Sequence, residues 1–315
     1  MLNNHISVVI PAFNAEKYLR ESVLSVLNQT LPPHEVIIVN DGSSDSTQNI
    51  IAQLTTEYSN VIYISQINRG LSAARNAGSA IATGSLIAYC DSDDIWGPNK
   101  LKNQIGHFIS HAECLGVVSL YTTFSENSKK ITYGEAPMFQ ITPLNLICGI
   151  SWLPGSASSI LIKKDSKTSH LKFDELLTYA EDLDMWIKLS KVGKICVLES
   201  NDIKIRLHDE SMQTSFKSNP NSYLISVLQI TNRFECSEVR RWLIERLFLW
   251  PICKEYIKGN GQIIEKIDWR AAVVSSQTLR LGKFGLFSSL LLPAILHSFR
   301  SFILFVGRIL LDVKK

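Results

Sequence analysis

The chain reads as an α/β protein, a doubly wound, mostly parallel sheet followed by a helical C-terminal region. Three observations predict this. Apolar runs of strand length alternate with helix-spaced segments through the first hundred residues, as a parallel sheet with crossover helices requires. The run from Glu35 to Val39 is apolar at successive rather than alternate positions, the pattern of a strand covered on both faces. From Pro220 onward the periodicity is almost wholly helical.

Ile6 to Ile10 is a short strand ended by Pro11. Tyr18, Leu19, Val23, Val26 and Leu27 give residues Glu16 to Asn28 a helical spacing. The strand at Glu35 runs into Asn40-Asp41-Gly42-Ser43-Ser44-Asp45. There Asp-Gly is a turn signal, and Asp45 is placed to cap a helix through Tyr58. Val61 to Ile64 is another strand, alanine-rich Leu71 to Ala82 a helix, and Leu86 to Tyr89 a strand entering an acidic loop. Trp96-Gly97-Pro98 marks the next turn and helix start. Further on, Gly116 to Phe124, Lys130 to Tyr133 and Ser158 to Lys163 read as strands, and Tyr179 to Leu189 as a helix. Two more strands fall near Ile195 to Leu198 and Ile203 to Leu207. The predicted division is a sheet domain over residues 1–215, a helical region over 216–279 and an apolar, basic tail over 280–315.

At 315 residues there is chain enough for one large domain and a smaller appendage. The formal charge of +3 hides an asymmetry: from Arg280 to Lys315 the tail carries +5, leaving the body at −2. A nearly neutral body argues against nucleic acid as a partner. The start of the chain has no basic, apolar leader, so a cytoplasmic location is expected. The six cysteines are scattered with no CxxC spacing. Neither a zinc site nor a disulfide framework is expected from them, and reduced thiols are the default.

In doubly wound sheets, ligands sit beyond the carboxyl ends of the strands. Three such ends carry Pro11-Ala12-Phe13-Asn14, the Asp41 turn and Asp91-Ser92-Asp93-Asp94, so these stretches converge on one crevice. Asp91 and Asp93, one residue apart on a tight loop, can meet a hard cation and leave room for diphosphate oxygens. The competing reading is turn formation and helix capping, and Asp94 fits that role. Asp41 can accept from a base or a ribose hydroxyl, or simply hold its turn. Arg75 lies in a helix poor in charge; it can fork to a phosphate, or pair with one of the nearby acids and hold the site in shape. Glu181-Asp182-Leu183-Asp184 puts three acids in four positions at a helix start, more than capping needs. One of them can serve as general base. His208, at the end of a late strand, is a candidate third metal ligand or phosphate donor.

Ser7-Val8-Val9-Ile10-Pro11-Ala12-Phe13-Asn14, the Asp41 turn, Asn68-Arg69-Gly70-Leu71-Ser72-Ala73-Ala74-Arg75-Asn76, Asp91-Ser92-Asp93-Asp94 and Glu181-Asp182 together resemble the family-two glycosyltransferases of the GT-A fold. Order, spacing and residue types all agree, over residues 5–210. The resemblance implies a Rossmann-like sheet and a metal-dependent, inverting transfer of sugar from a nucleotide diphosphate, with uridine as the expected base. It also implies roles. The backbone from Pro11 to Phe13 and the Asp41 carboxylate would hold the base, and Arg75 would help with base or phosphates. Asp91, with Ser92 beside it, would lie near the ribose, and Asp93 would ligate Mn2+ or Mg2+. Asp182 would be the general base, and His208 would touch metal or diphosphate. Ala12-Phe13 departs from the family's more usual small polar residue and tyrosine, so a tyrosine hydroxyl contact is absent. The acceptor would be a saccharide or lipid-linked saccharide used in cell-surface polysaccharide synthesis. Trp152 to Ser156 and the region after Glu210 would shape its site.

The apolar runs Phe284 to Phe299 and Phe302 to Leu311 are broken by Pro293, His297 and Gly307-Arg308. Neither reaches the ~20 residues of a spanning helix. An interfacial attachment at the inner membrane leaflet is the expectation, against packing on the body or on a second copy in a homo-oligomer. Two other classes compete with a transferase. A catalytically silent sugar-nucleotide-binding subunit is disfavoured by intact Asp93 and Asp182. A nucleotidyltransferase is disfavoured because Pro11 to Lys17 offers no glycine-rich triphosphate loop.

Overall fold

Unbroken β-branched runs make the centre of the sheet. β1 (Ile6–Ala12) and β2 (Glu35–Asp41) are buried at every position, which only helices on both faces can achieve. The computed structural model describes residues 5–125, 128–133, 141 and 156–208, with positions 222, 226, 229 and 230. The chain divides into two compact units: Met1–Leu177 with Glu181–His208, and Thr178–Ala180 with Asp209–Lys315.

In the first unit the further strands are β3 (Val61–Gln66), β4 (Leu86–Tyr89), β5 (Ile95–Trp96), β6 (Cys114–Ser125), β7 (Ser128–Tyr133), β8 (Ile160–Lys163) and β9 (Lys194–Arg206). They form one sheet in the order β3-β2-β1-β4-β8-β6-β9-β5, with β7 paired to β6. β1 is parallel to β2 and β4, β2 to β3, and β6 to β9. β8 is antiparallel to both β4 and β6. It follows that β3, β2, β1, β4, β6 and β9 all point the same way and end at one edge. β8 starts at that edge, through the 3-10 turn Ala157–Ser159.

One face of the sheet is built on Ile6, Val8, Ile10, Val36 and Ile38, with Leu19, Val23 and Val26 of α1 (Leu19–Leu27) and Ile51 and Leu54 of α2 (Thr47–Glu57). Leu101, Ile105 and Phe108 of α4 (Lys100–Ser110) extend the same core. Each such side chain, fully buried, contributes about 1.5–3 kcal/mol. The other face takes α3 (Leu71–Ile81), whose Gly78 lies directly against Val9 and Val39. α5 (Glu181–Val192) buries Met185, Trp186, Ile187 and Leu189. In the second unit, Tyr179 N donates to Ser226 Oγ at 3.1 Å.

Three expectations are corrected. The two late strands are one, β9, because register shifts against β6 absorb the polar stretch near Asn201. The short strand β5 is held by pairing Ile95 and Trp96 with Lys204 and Ile203, a non-local contact without a periodic signal. The third concerns the cysteines. Cys114 and Cys196 are joined as a disulfide, Cα to Cα 6.0 Å, although 82 residues separate them. They stand on adjoining parallel strands, which spacing along the chain does not reveal. Cys90 is a buried free thiol. The segments 134–140 and 142–155, the region after Glu210 and the tail lie outside the described residues, apart from the isolated positions given above. Among the described residues no helix is long and apolar enough to cross a membrane.

Candidate active site

The carboxyl ends of β1 and β2 are stitched to each other. Asn14, at a positive φ of 47°, exchanges bonds with the β2–α2 loop: its N–H donates to Ser43 Oγ at 3.0 Å and its Oδ1 accepts from Ser44 N at 2.9 Å. Asp45 Oδ1 accepts from Thr47 N at 3.0 Å, and Oδ2 from Glu16 N at 3.0 Å; the N-cap of α2 is Ser46, one residue beyond the expected Asp45. Pro11 lies buried at the end of β1 beside Val39. The Phe13 ring next to it is 51% exposed, an apolar surface offered at the rim.

Asp41 sits beneath this rim, 3% exposed. Its carboxylate accepts from Gln66 Nε2 at 2.6 Å, Arg69 N at 2.9 Å and Gly70 N at 2.8 Å. The side chain therefore holds the turn that opens α3, using three of a carboxylate's roughly four acceptor positions. Gly42, at φ +74°, lets the loop pass Asn68; a Cβ there would come within 2.7 Å of the Asn68 nitrogen.

Arg75 is a deeply set charge of the site. Its side chain is 2% exposed; Nη2 donates to Asp91 Oδ1 and Nη1 to Glu181 Oε1, each at 2.7 Å. The Phe173 ring covers it at 5.1 Å. Of the two roles open to Arg75, phosphate contact and internal pairing, the structure displays the pairing: Nη1 and Nη2 are both engaged by protein carboxylates. Burial opposes the charge, but Asp91 and Glu181 outweigh it and hold the guanidinium well above its ordinary range.

This brace joins the β4 loop to the start of α5. The loop is anchored again where Asp91 N donates to Ser158 Oγ at 2.9 Å and where Asp91 O accepts from Ser22 Oγ at 2.9 Å. Asp93 turns outward, its Oδ2 2.9 Å from His208 Nε2. Burial and the Asp91 charge push its carboxyl up, against the pull of His208. A carboxylate and an imidazole converging at the rim of a strand edge are a donor set that Mn2+ or a similar cation accepts, so these two residues fit the expected metal. Ser92 between the acids is half-buried. Asp94 is the structural member: it accepts from Arg206 N at 3.3 Å and from Ser156 Oγ at 3.2 Å. Burial, then Asp91 and Asp93, raise its carboxyl well above the usual range.

The three acids opening α5 are sorted by their partners. Glu181 takes Arg75, and Asp184 pairs with Lys188 at 2.7 Å one turn on. Among the described residues Asp182 accepts only from Leu183 N, at 2.7 Å, and has no ion pair. Burial and the neighbouring Glu181 push it up to about 7, with Asp91 adding to the rise and Arg75 opposing it. That Asp91 and Arg75 both act on Asp182 puts the carboxylate in the same pocket of charge as the β4 loop.

Two residues without a predicted role complete the site. Arg206, at the end of β9, donates from Nε to Asp93 O at 3.1 Å and stacks over Tyr18 and Phe124 at 4.3 and 4.7 Å. Ser158 holds the Asp91 backbone. Arg206 ends a strand that already carries Lys194 and Lys204, so the sequence does not set it apart, and Ser158 has no signal either.

A mostly parallel sheet with an acidic loop ending β4, braced to a second acidic helix start, defines the GT-A class of glycosyltransferase. A family model described as "Glycosyl transferase family 2" matches residues 7–166, and the chain belongs to that family and is a glycosyltransferase. It is 30% identical over 220 residues to an uncharacterized glycosyltransferase of Nostoc, covering 68% of each chain. It is also 30% identical over 227 residues to the chondroitin synthase of Escherichia coli, covering 67% of this chain and 32% of that one. Its fold matches S. aureus TarS residues 1–349 in complex with UDP-GlcNAc at a TM-score of 0.63 and 19% identity, over 87% of this chain and 80% of that one.

Proposed function

We propose that this glycosyltransferase moves a sugar from a uridine diphosphate donor to a hydroxyl of a saccharide or lipid-linked acceptor, with inversion, at the cytoplasmic face of a membrane. The observation that carries the reading is the Asp91–Arg75–Glu181 brace, which couples the donor-side acidic loop to Asp182. Relatives that include a chondroitin synthase, and the UDP-GlcNAc complex of TarS, favour a UDP-sugar and a polysaccharide product.

In this reading the rim from Pro11 to Phe13 receives the base, and the β4 loop around Asp91 and Ser92 receives the ribose. Asp93 and His208 would hold a divalent cation, which when bound supplies positive charge to a departing diphosphate. Asp182, ionised, takes the proton from the acceptor hydroxyl, whose oxygen then attacks the anomeric carbon from the side opposite the leaving group. An α-linked donor gives a β-linkage. Positioning supplies much of the acceleration. The division into a catalytic unit, a helical region and a membrane-contacting tail belongs to the same proposal.

Thermal denaturation with a panel of sugar nucleotides, with and without Mn2+, tests donor and metal together. A UDP-sugar raises the midpoint in the presence of Mn2+, and Asp93→Ala removes the metal dependence. No shift with any nucleotide overturns the reading.

A further inference from the structure

The sheet edge away from the active site carries a second cluster of metal-ligating groups. Cys114 opens β6, Cys196 lies near the start of β9, and His107 stands in the last turn of α4. One ligand atom from each falls within 4.8 Å of the others. Both cysteines are buried, and the histidine is half-buried at the mouth. One helical turn beyond His107, the His111 ring stacks on it at 4.2 Å between centroids. A disulfide alone accounts for two sulfurs; it gives no reason for an imidazole from a third element to converge on them.

We propose that His107, Cys114 and Cys196, with their thiols reduced, bind a divalent cation of the zinc class. Two thiolates and an imidazole are the ligand chemistry of Zn2+ or Co2+, in contrast with the oxygen-rich active site that suits Mn2+ or Mg2+. Two thiolates also cancel the charge of a dication, so a largely buried complex carries no net charge into the protein. The adjacent Glu113–Lys194 pair, at 3.0 Å, is neutral by itself and leaves that balance intact. His111 or solvent takes the fourth position. The disulfide is the same pair two electrons further oxidised. With a hydroperoxide as oxidant, the sulfur–sulfur bond forms and the oxygen–oxygen bond breaks. The peroxide takes up two protons and leaves as alcohol and water, and the cation is released. The bound cation ties α4 to β6 and β9, and sugar transfer is not needed for any of this.

The test is Co2+ titration of the full chain, reduced with a phosphine and stripped with a chelator. One equivalent is expected to give a thiolate-to-cobalt charge-transfer band with the d–d bands of a tetrahedral site, bleached by Zn2+. Cys114→Ser or Cys196→Ser removes the charge-transfer band, and His107→Ala, at a half-buried position, weakens binding about tenfold or more. Zn2+ raises the thermal midpoint of the reduced wild type. The wild-type titration decides the matter even if a cysteine variant does not fold. Absence of the charge-transfer band in the reduced wild type, or an undiminished band in His107→Ala and Cys114→Ser, overturns the proposal.

Discussion

The two edges of the sheet handle buried carboxylates in opposite ways. At the amino edge, Glu35 opens β2 and is surrounded by neutral donors: Ser7 Oγ at 2.6 Å, Thr83 N at 2.7 Å and Thr83 Oγ1 at 2.8 Å. Burial raises its carboxyl, but those bonds together outweigh burial, and the net shift is downward. At the carboxyl edge, burial and the Asp91 charge raise Asp93 and Asp94, and burial with the neighbouring Glu181 raises Asp182. Glu35 is ringed by hydrogen-bond donors, whereas the acids at the proposed active site, with the structural Asp94 among them, stand close to other carboxylates, at a cost in stability that the rest of the sheet offsets.

Breaking the brace gives the largest effect. Arg75→Met leaves Asp91 and Glu181 without their shared cation, and breaking a buried pair costs about 3–5 kcal/mol, read by urea denaturation. Glu35→Ala orphans three donors at the other edge and costs about 2–3 kcal/mol, with the activity of the folded fraction unchanged. Because the folded Glu35 carboxyl lies below its ordinary value, its contribution is present above the unfolded carboxyl range and is lost as pH falls through the lowered value. Gly42→Ala forces a side chain into the left-handed region and against Asn68, costing about 1–2 kcal/mol and weakening nucleotide binding in calorimetry. Asp182→Asn acts on the fold with the opposite sign. Its carboxyl, raised to about 7, stabilises the fold fully below the unfolded value near 4 and progressively less as pH rises through 7. The variant is therefore more stable than wild type near pH 8 and equal to it near pH 4, as paired thermal melts at the two values would report.

The first four strands and their helices are legible in the sequence because each is specified locally, by an apolar run or a 3.6-residue period ended by Asp, Gly or Pro. The converging strand ends follow from that order alone. Arg75 was legible as a charge out of place, but its partners, 16 and 106 residues away, decide its role, and no local pattern carries them. The same holds for Arg206 under Asp93 and for the Cys114–Cys196 pair. Asp41 illustrates the same point: its three bonds come from Gln66, Arg69 and Gly70, 25 to 29 residues along the chain, and not from the Asp-Gly turn that the sequence shows. Ser156 braces Asp94, while residues 152–155 lie outside the described residues.

The central claim is that Asp182 is the base facing a donor held by the β4 loop. The direct test is kcat/KM for transfer from a UDP-sugar, followed from about pH 5 to about pH 9 in wild type and Asp182→Asn. The account predicts that wild-type activity rises with pH through a midpoint near 7, where Asp182 loses its proton. In the variant kcat falls by about 100- to 10,000-fold while donor affinity is kept. A flat wild-type profile, or a variant that retains wild-type turnover, contradicts it.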